Sequence, residues 1–168
     1  KETSLHDDYL ELHKKYELKY GKGRTLILMQ VGSFFESYAT ISEGPDLENI
    51  ASLLNIVSTR KDKSIAQISR KNPLMCGFPL QAINKFMNIL LNHGYTVILI
   101  EQTTPPPSPK REVVGIFSPG TSIDYVQSND TNNIVCIYVE QEKQMNGKFL
   151  PCIGLSSIDL STGKSTIY

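Results

Sequence analysis

The chain is 168 residues long, with 17 Lys and Arg against 17 Asp and Glu, 40% hydrophobic residues, three Cys and no Trp. That length suits one domain and part of a second, and there is apolar material enough for a core. Zero formal net charge excludes a histone-like or tail-driven nucleic-acid binder and leaves a neutral domain with local basic patches.

Nothing approaches the roughly 20 apolar residues of a membrane helix, so a soluble intracellular protein with no membrane partner is expected, with mitochondrial, viral and cytoplasmic settings all open. The opening KETSLHDDY has neither an apolar signal region nor an initiator Met and reads as a piece of a longer protein. Cys76, Cys136 and Cys152 are an odd set without a C-x-x-C pair, so three reduced, mostly buried thiols are expected rather than disulfides or structural zinc.

In chain order, Leu5, Tyr9, Leu12 and Tyr16 form one stripe of an amphipathic helix over Ser4 to Tyr20, with Ser4 and Asp7 as a capping box. His6 and His13 share a face of it, without a third ligand type nearby to make a metal site. Gly21-Lys-Gly23 ends the helix, and Thr25 to Val31 is a continuous apolar run, the signature of a strand covered on both faces. Asp46 caps a second helix carrying Leu47, Ile50, Ala51 and Leu54. A third runs from Leu80 to His93 with Phe86, Met87, Leu90 and Leu91 on one face, and Gly94 stops it. Thr96 to Ile100 is another buried strand. Residues 103–111, TTPPPSPKR, predict an exposed loop of polyproline character, and Glu112 to Phe117 a returning strand. Asp124 to Asn133 is polar and without period, a linker. Beyond it, Ile134 to Val139, Cys152 to Leu160 and Ser165 to Tyr168 read as a meander turning at Asn146-Gly147, too short to bury a core alone. The expected fold is α/β, a mixed sheet flanked by helices over residues 1–124, a linker over 125–133, and an incomplete second domain over 134–168.

No catalytic constellation emerges. Gly163-Lys-Ser-Thr166 mimics the end of a phosphate-binding loop, but the pattern G-x-x-x-x-G-K-[ST] needs a glycine where Ile158 stands, and the segment lies between strands rather than at a helix N-terminus. Asp7 with Asp8, or Glu36 with Asp46, have no nucleophile placed with them. Cys76, in the turn-prone Pro-Leu-Met-Cys-Gly-Phe-Pro79, reads as packing. More informative is Gly32-Ser-Phe-Phe-Glu-Ser-Tyr38: in an extended chain, Phe34 and Glu36 share one face and Phe35 takes the other. Pattern alone favours both Phe in the core and Glu36 in water. Arg60, Lys61, Lys63, Arg70 and Lys71 form a basic stretch that, by itself, reads as a solvated loop more readily than as a nucleic-acid contact.

The same residues carry a family resemblance. Gly32-Ser-Phe-Phe-Glu36 resembles the G-x-F-[YF]-E segment of the MutS mismatch-repair family. Leu53-Leu-Asn-Ile56 with Thr59-Arg-Lys61 is similar to L-L-x-I-x-x-T-[KR]-[RK], and Pro73 to Pro79 to P-M-A-G-[IF]-P. Glu101-Gln102, Arg111-Glu-Val-Val114 and Ser118-Pro-Gly-Thr121 match E-Q … R-x-V-x-x-[IV]-[ST]-P-G-T. Lys19-Tyr-Gly with Arg24-Thr-Leu and Met29-Gln-Val-Gly-Ser33 looks most like the branch found in octocoral mitochondria and giant viruses. Residues 134–168, with Asp159-Leu-Ser-Thr-Gly163, resemble the start of the family's connector domain.

The resemblance implies a mismatch-recognition domain joined to a truncated RNase-H-like connector. It implies a Phe that wedges from the minor groove onto a mispaired or unpaired base, here Phe34, and a Glu that hydrogen-bonds that base, here Glu36. Arg60 and Lys61 fall at positions near the DNA backbone. The common Asp and Tyr of the wedge motif are Ser33 and Phe35 here, beside the ring and carboxylate without removing either. The partner implied is double-stranded DNA with mismatches or small loops. ATP, Mg and a homodimer belong to the full-length parent, leaving this piece non-enzymatic and without a cofactor. The alternative is a protein-interaction or scaffold domain with Phe34 in its core.

Overall fold

The computed structural model describes residues 4–119, 121, 133–160 and 162–168. The linker expectation therefore lies almost wholly outside the described residues. The chain divides into two compact units, Lys1–Pro119 and Gly120–Tyr168.

The first unit opens with α1 (Leu5–Tyr20), capped as expected: the Asp7 amide donates to Ser4 Oγ at 3.2 Å. Strands β1 (Thr25–Val31) and β2 (Phe34–Ala39) form a hairpin, followed by α2 (Leu47–Leu54), capped by Asp46. The two-residue strand β3 (Thr59–Arg60) and β4 (Leu74–Pro79) come next, then a 3-10 turn over Leu80–Ala82 leading into α3 (Ile83–Asn92). Strands β5 (Thr96–Gln102) and β6 (Arg111–Phe117) complete a six-stranded sheet of order β3-β4-β2-β1-β5-β6. β1 and β5 are parallel and every other pair is antiparallel, which is the mixed α/β sheet the sequence predicts.

The continuous apolar run of β1 has a layered cause. Ile27 and Met29 pack with Tyr9 and Leu10 of α1, with Tyr38, and with Ile98 and Ile100, while Leu26 and Leu28 line the opposite face with Phe35, Ile50, Leu54 and Phe78. Helices thus cover both faces, and every β1 residue from Thr25 to Met29 is buried. The α1 stripe is rotated from the expected one. Its deepest residues are His6, Tyr9, Leu10 and His13, while Leu5, Leu12 and Tyr16 pack around them half-buried. Histidines can occupy this seam because they find partners there: His13 Nε2 donates to the Thr25 carbonyl at 3.0 Å, so this ring is not buried without a hydrogen bond.

Three further expectations are corrected. Pro73 to Pro79 is not a turn but contains β4, paired along its length with β2. Arg111 belongs to β6 rather than to the Pro-rich segment, which is the loop of the β5–β6 hairpin, closed where the Thr103 amide donates to the Lys110 carbonyl at 2.9 Å. Only Cys76 is a buried thiol, and Cys136 and Cys152 are exposed.

The second unit is an antiparallel meander of β7 (Asn133–Lys143), β8 (Phe149–Asp159) and β9 (Ser165–Ile167). Asn133, the last residue of the expected linker, opens β7. Asn146-Gly147 turns as predicted, with Gly147 at φ 78° and the Lys148 amide donating to Asn146 Oδ1 at 3.0 Å. Its apolar residues are open, Ile137 at 63% and Ile153 at 65%, which is why Cys136 and Cys152 share that exposure. Lys164 lies between β8 and β9 and leads into a strand, so among the described residues no helix N-terminus stands there to complete a phosphate loop. Among the described residues no helix is long and apolar enough to cross a membrane.

Candidate functional site

The β1–β2 connection is a two-residue turn, Gly32-Ser33, between the paired residues Val31 and Phe34. Gly32 has φ 60° and Ser33 does not have positive φ, the pattern of a II′ hairpin, for which glycine at the first central position is the residue without steric cost. The hairpin itself went unread in the sequence, although the glycine was its signal.

The turn is pinned from both sides. Gln30 Oε1 accepts the Gln102 amide at 2.9 Å, Gln30 Nε2 donates to the Gly32 carbonyl at 3.1 Å, and the Gln30 carbonyl accepts Arg111 Nε at 2.9 Å. From the other side, the Leu80 amide donates to the Ser33 carbonyl at 3.0 Å. Sequence reasoning quoted Gln30 and Arg111 inside motifs without seeing this role. The hydrogen bonds hold the start of β2 in one position.

On that strand the pleat separates the two aromatic rings. Phe35 is 3% exposed and packs on Phe78 with ring centres 6.1 Å apart, whereas Phe34 is 43% exposed. The expectation that both rings are core is therefore wrong for Phe34, and the scaffold alternative that required it in the core loses its footing. The reason is coverage: α1 lies over the Tyr38 end of this face and leaves the Phe34 end open.

Glu36, half-buried, points to the same face as Phe34. Tyr38 Oη donates to Glu36 Oε2, which engages one carboxylate oxygen and fixes its direction. Burial first, and the neighbouring carboxylate second, hold the Tyr38 phenol well above its ordinary range, so it remains a donor at all working pH values. Beneath Glu36 lies Gly77, where a Cβ would meet the Phe35 carbonyl oxygen at 2.7 Å and Glu36 Cγ at 3.1 Å. The Gly of the Pro-Leu-Met-Cys-Gly segment thus provides the room in which Glu36 stands. Cys76 beside it is buried and its thiol is pushed up to about 12, so it is no nucleophile.

Arg60 and Lys61 are not brought to this end. Phe34 is level with Pro79 and Arg60 with Leu74, five residues apart on β4, or about 17 Å at the strand rise. They also diverge from each other. Arg60 is in register with Leu74 and Ala39 on the α2 side of the sheet, where its guanidinium donates to the Lys63 carbonyl at 3.1 Å. Lys61 takes the α1 side with Phe34 and Glu36, its ammonium 3.2 Å from His6 Nε2. Arg70, part of the basic stretch, is consumed by carboxylates: Asp7, Glu11 and Glu43 lie at 3.3, 2.9 and 2.5 Å from its terminal nitrogens. It ties the start of α1 to the segment after β2 and offers no charge to a ligand.

Fold and site together define an α/β domain that presents one ring and one carboxylate on a pinned hairpin, with a basic loop at the far end of the sheet. Residues 4–126 match MutS domain I, and the chain belongs to the MutS family. A DNA mismatch repair MutS homologue of Acanthamoeba polyphaga mimivirus is 37% identical over 171 residues, covering 100% of this chain. The DNA mismatch repair protein MutS of Methanosarcina barkeri is 36% identical over 159 residues and 89% of the chain, and that of Staphylococcus epidermidis 28% identical over 168 residues and 96% of it. The chain spans only 15% of the mimivirus protein's length, 17% of the archaeal one and 16% of the bacterial one.

Proposed function

We propose that this chain is the mismatch-sensing DNA-binding module of a MutS-type mismatch-repair ATPase. Phe34 enters the duplex from the minor groove and stacks on a mispaired or unpaired base, and Glu36 hydrogen-bonds that base. Residues 1–124 form the recognition domain and residues 134–168 the start of the connector. The chain is non-catalytic and binds no cofactor itself. ATP, Mg and homodimerisation belong to the full-length protein, and the partner is double-stranded DNA carrying mismatches or small loops.

The observation that carries this reading is the exposure of Phe34 on a turn held by four hydrogen bonds, next to a buried Phe35. A wedge must protrude before DNA arrives and must not fold back on contact. Unstacking a base step costs a few kcal/mol, least where pairing is already weak, so a rigid ring discriminates by the softness of the duplex. A carboxylate near phosphates is electrostatically unfavourable, so Glu36 has to gain a base N–H, or be protonated to face a ring-nitrogen acceptor. Tyr38, occupying one carboxylate oxygen, leaves the other for that bond.

The test is binding of mismatched and matched duplex by the full-length protein at two salt concentrations, for wild type and Phe34→Ala. Loss of mismatch preference with salt-sensitive binding intact is the expected result. A wild type without preference, or a variant that keeps it, would sink the wedge.

A further inference from the structure

The loop between β3 and β4 is organised around one buried side chain. Asn72 is 4% exposed. Its Oδ1 accepts the Asp62 amide at 2.7 Å, and its Nδ2 faces the carbonyls of Asp62, Ile65 and Gln67 at 3.2 Å each. Ser69 and Asn72 exchange backbone hydrogen bonds at 3.1 and 3.0 Å, and Arg60 holds the Lys63 carbonyl from below. A twelve-residue span, 61–72, with this many internal bonds has paid much of its ordering entropy on folding.

What this scaffold displays is mostly positive charge, three lysines against one carboxylate. An open trough of about 630 Å³ is lined by Lys61, Lys63 and Lys71 above the Asn72 hub. Asp62, the one acid lining it, is turned onto Ser64, whose amide and hydroxyl donate to Asp62 Oδ1 at 2.9 and 2.6 Å. Lys63 and Lys71 are exposed, and among the described residues neither ammonium is paired with a carboxylate. Arg70, between them in sequence, is withdrawn by its three carboxylates. The loop sorts its cations: Arg60 is held by the Lys63 carbonyl, Arg70 by its carboxylates and Lys61 by His6, which leaves Lys63 and Lys71 as its outward charges.

We infer that the Asn72-centred loop is a preformed cradle for the phosphodiester backbone of duplex DNA, with Lys63 and Lys71 as contacts and Asn72 as the residue that positions them. This rests on the proposed function for the identity of the polyanion. The loop begins about 17 Å from Phe34 along the strands, against about 34 Å for one duplex turn, so ring and cradle engage the same turn. Lysines acting as point charges on phosphates give affinity without sequence preference, which leaves discrimination to Phe34.

The experiment is a salt titration of duplex binding by the full-length protein, with matched and mismatched DNA, for wild type, Lys63→Gln with Lys71→Gln, Asn72→Ala, and a control pair Lys15→Gln with Lys19→Gln on α1. Two lost phosphate contacts lower the slope of log affinity on log salt by about 1.8, equally for both duplexes, and the control pair leaves it unchanged. Asn72→Ala keeps the slope and weakens binding at every salt concentration. An unchanged slope in the loop pair, or an equal fall in the control pair, overturns the cradle, and an Asn72→Ala affinity equal to wild type removes the hub from it. Should Asn72→Ala fail to fold, the lysine pair, both exposed, still decides. A slope that falls in a protein without any mismatch preference would leave the cradle standing and remove the proposed function instead.

Discussion

Phe34 and Phe35 are adjacent, chemically identical, and separated by the pleat into water and core. Removing the Phe35 ring should cost about 3–5 kcal/mol, the usual range for a buried Phe cut to Ala. Removing Phe34 should cost no more than about 1 kcal/mol, as surface truncations do. Denaturant unfolding of the two alanine variants checks this, and equal losses would return Phe34 to the core. Glu36→Gln retains an oxygen for Tyr38 Oη while deleting the charge, so stability should hold while mismatch preference falls. Full preference in that variant would make the carboxylate irrelevant. Alternation told from sequence that the rings part company, but not which one is wet. That depends on where α1 ends its coverage, a tertiary fact with no local signal. Arg60 and Lys61 show the same limit. The one-residue step that sends them to opposite faces mattered only once the β3–β4 register was known.

At the scale of elements, the helices and the two buried strands were legible because caps and apolar period agree with their packing. β4 was not, because Pro73, Gly77 and Pro79 are turn residues by composition. The structure reconciles them: Pro73 precedes the strand, Pro79 closes it, and Gly77 is demanded by close approach to β2. Gly77→Ala follows as a sharp test. Its Cβ would meet a backbone oxygen of Phe35 at 2.7 Å, which cannot swing aside as a side chain would. The β2–β4 pair must open or Glu36 must move, a cost of about 1–3 kcal/mol by the measure of overpacked cores. Thermal unfolding should show the loss, and mismatch preference should drop with it because Glu36 stands directly above. A variant as stable as wild type would mean that the two strands are not held at this spacing. β3, with two residues, has no period to read at all.

Across the first unit, the attachment of α1 to the sheet is built on neutral histidines, which makes its stability depend on pH. Burial foremost lowers the His13 pKa, against the pull of the Thr25 carbonyl and Glu17. Burial and the Lys61 ammonium lower that of His6, against the Arg70 carbonyl and Asp7. Tyr38, edge-on to His6 at 4.8 Å between ring centres, closes off water there. A lowered folded pKa means that the unfolded chain takes up protons first. The contribution is therefore complete above the ordinary histidine value of about 6.5 and is lost as pH falls below it toward the folded values, each unit of depression being worth about 1.4 kcal/mol. Asp7 and Glu43, held low by Ser4 and Arg70 respectively, act in a separate, more acidic window: their contribution is present above the ordinary carboxylate range and lost only below about pH 4. Melting temperature followed from neutral pH downward should thus fall in two steps. His13→Gln keeps an N–H for the Thr25 carbonyl but cannot titrate, so it should make the first step shallower and leave the second untouched. A wild type whose melting temperature is flat between about pH 7 and pH 5 would show that α1 detaches, or admits water to its histidines, without cost to the fold.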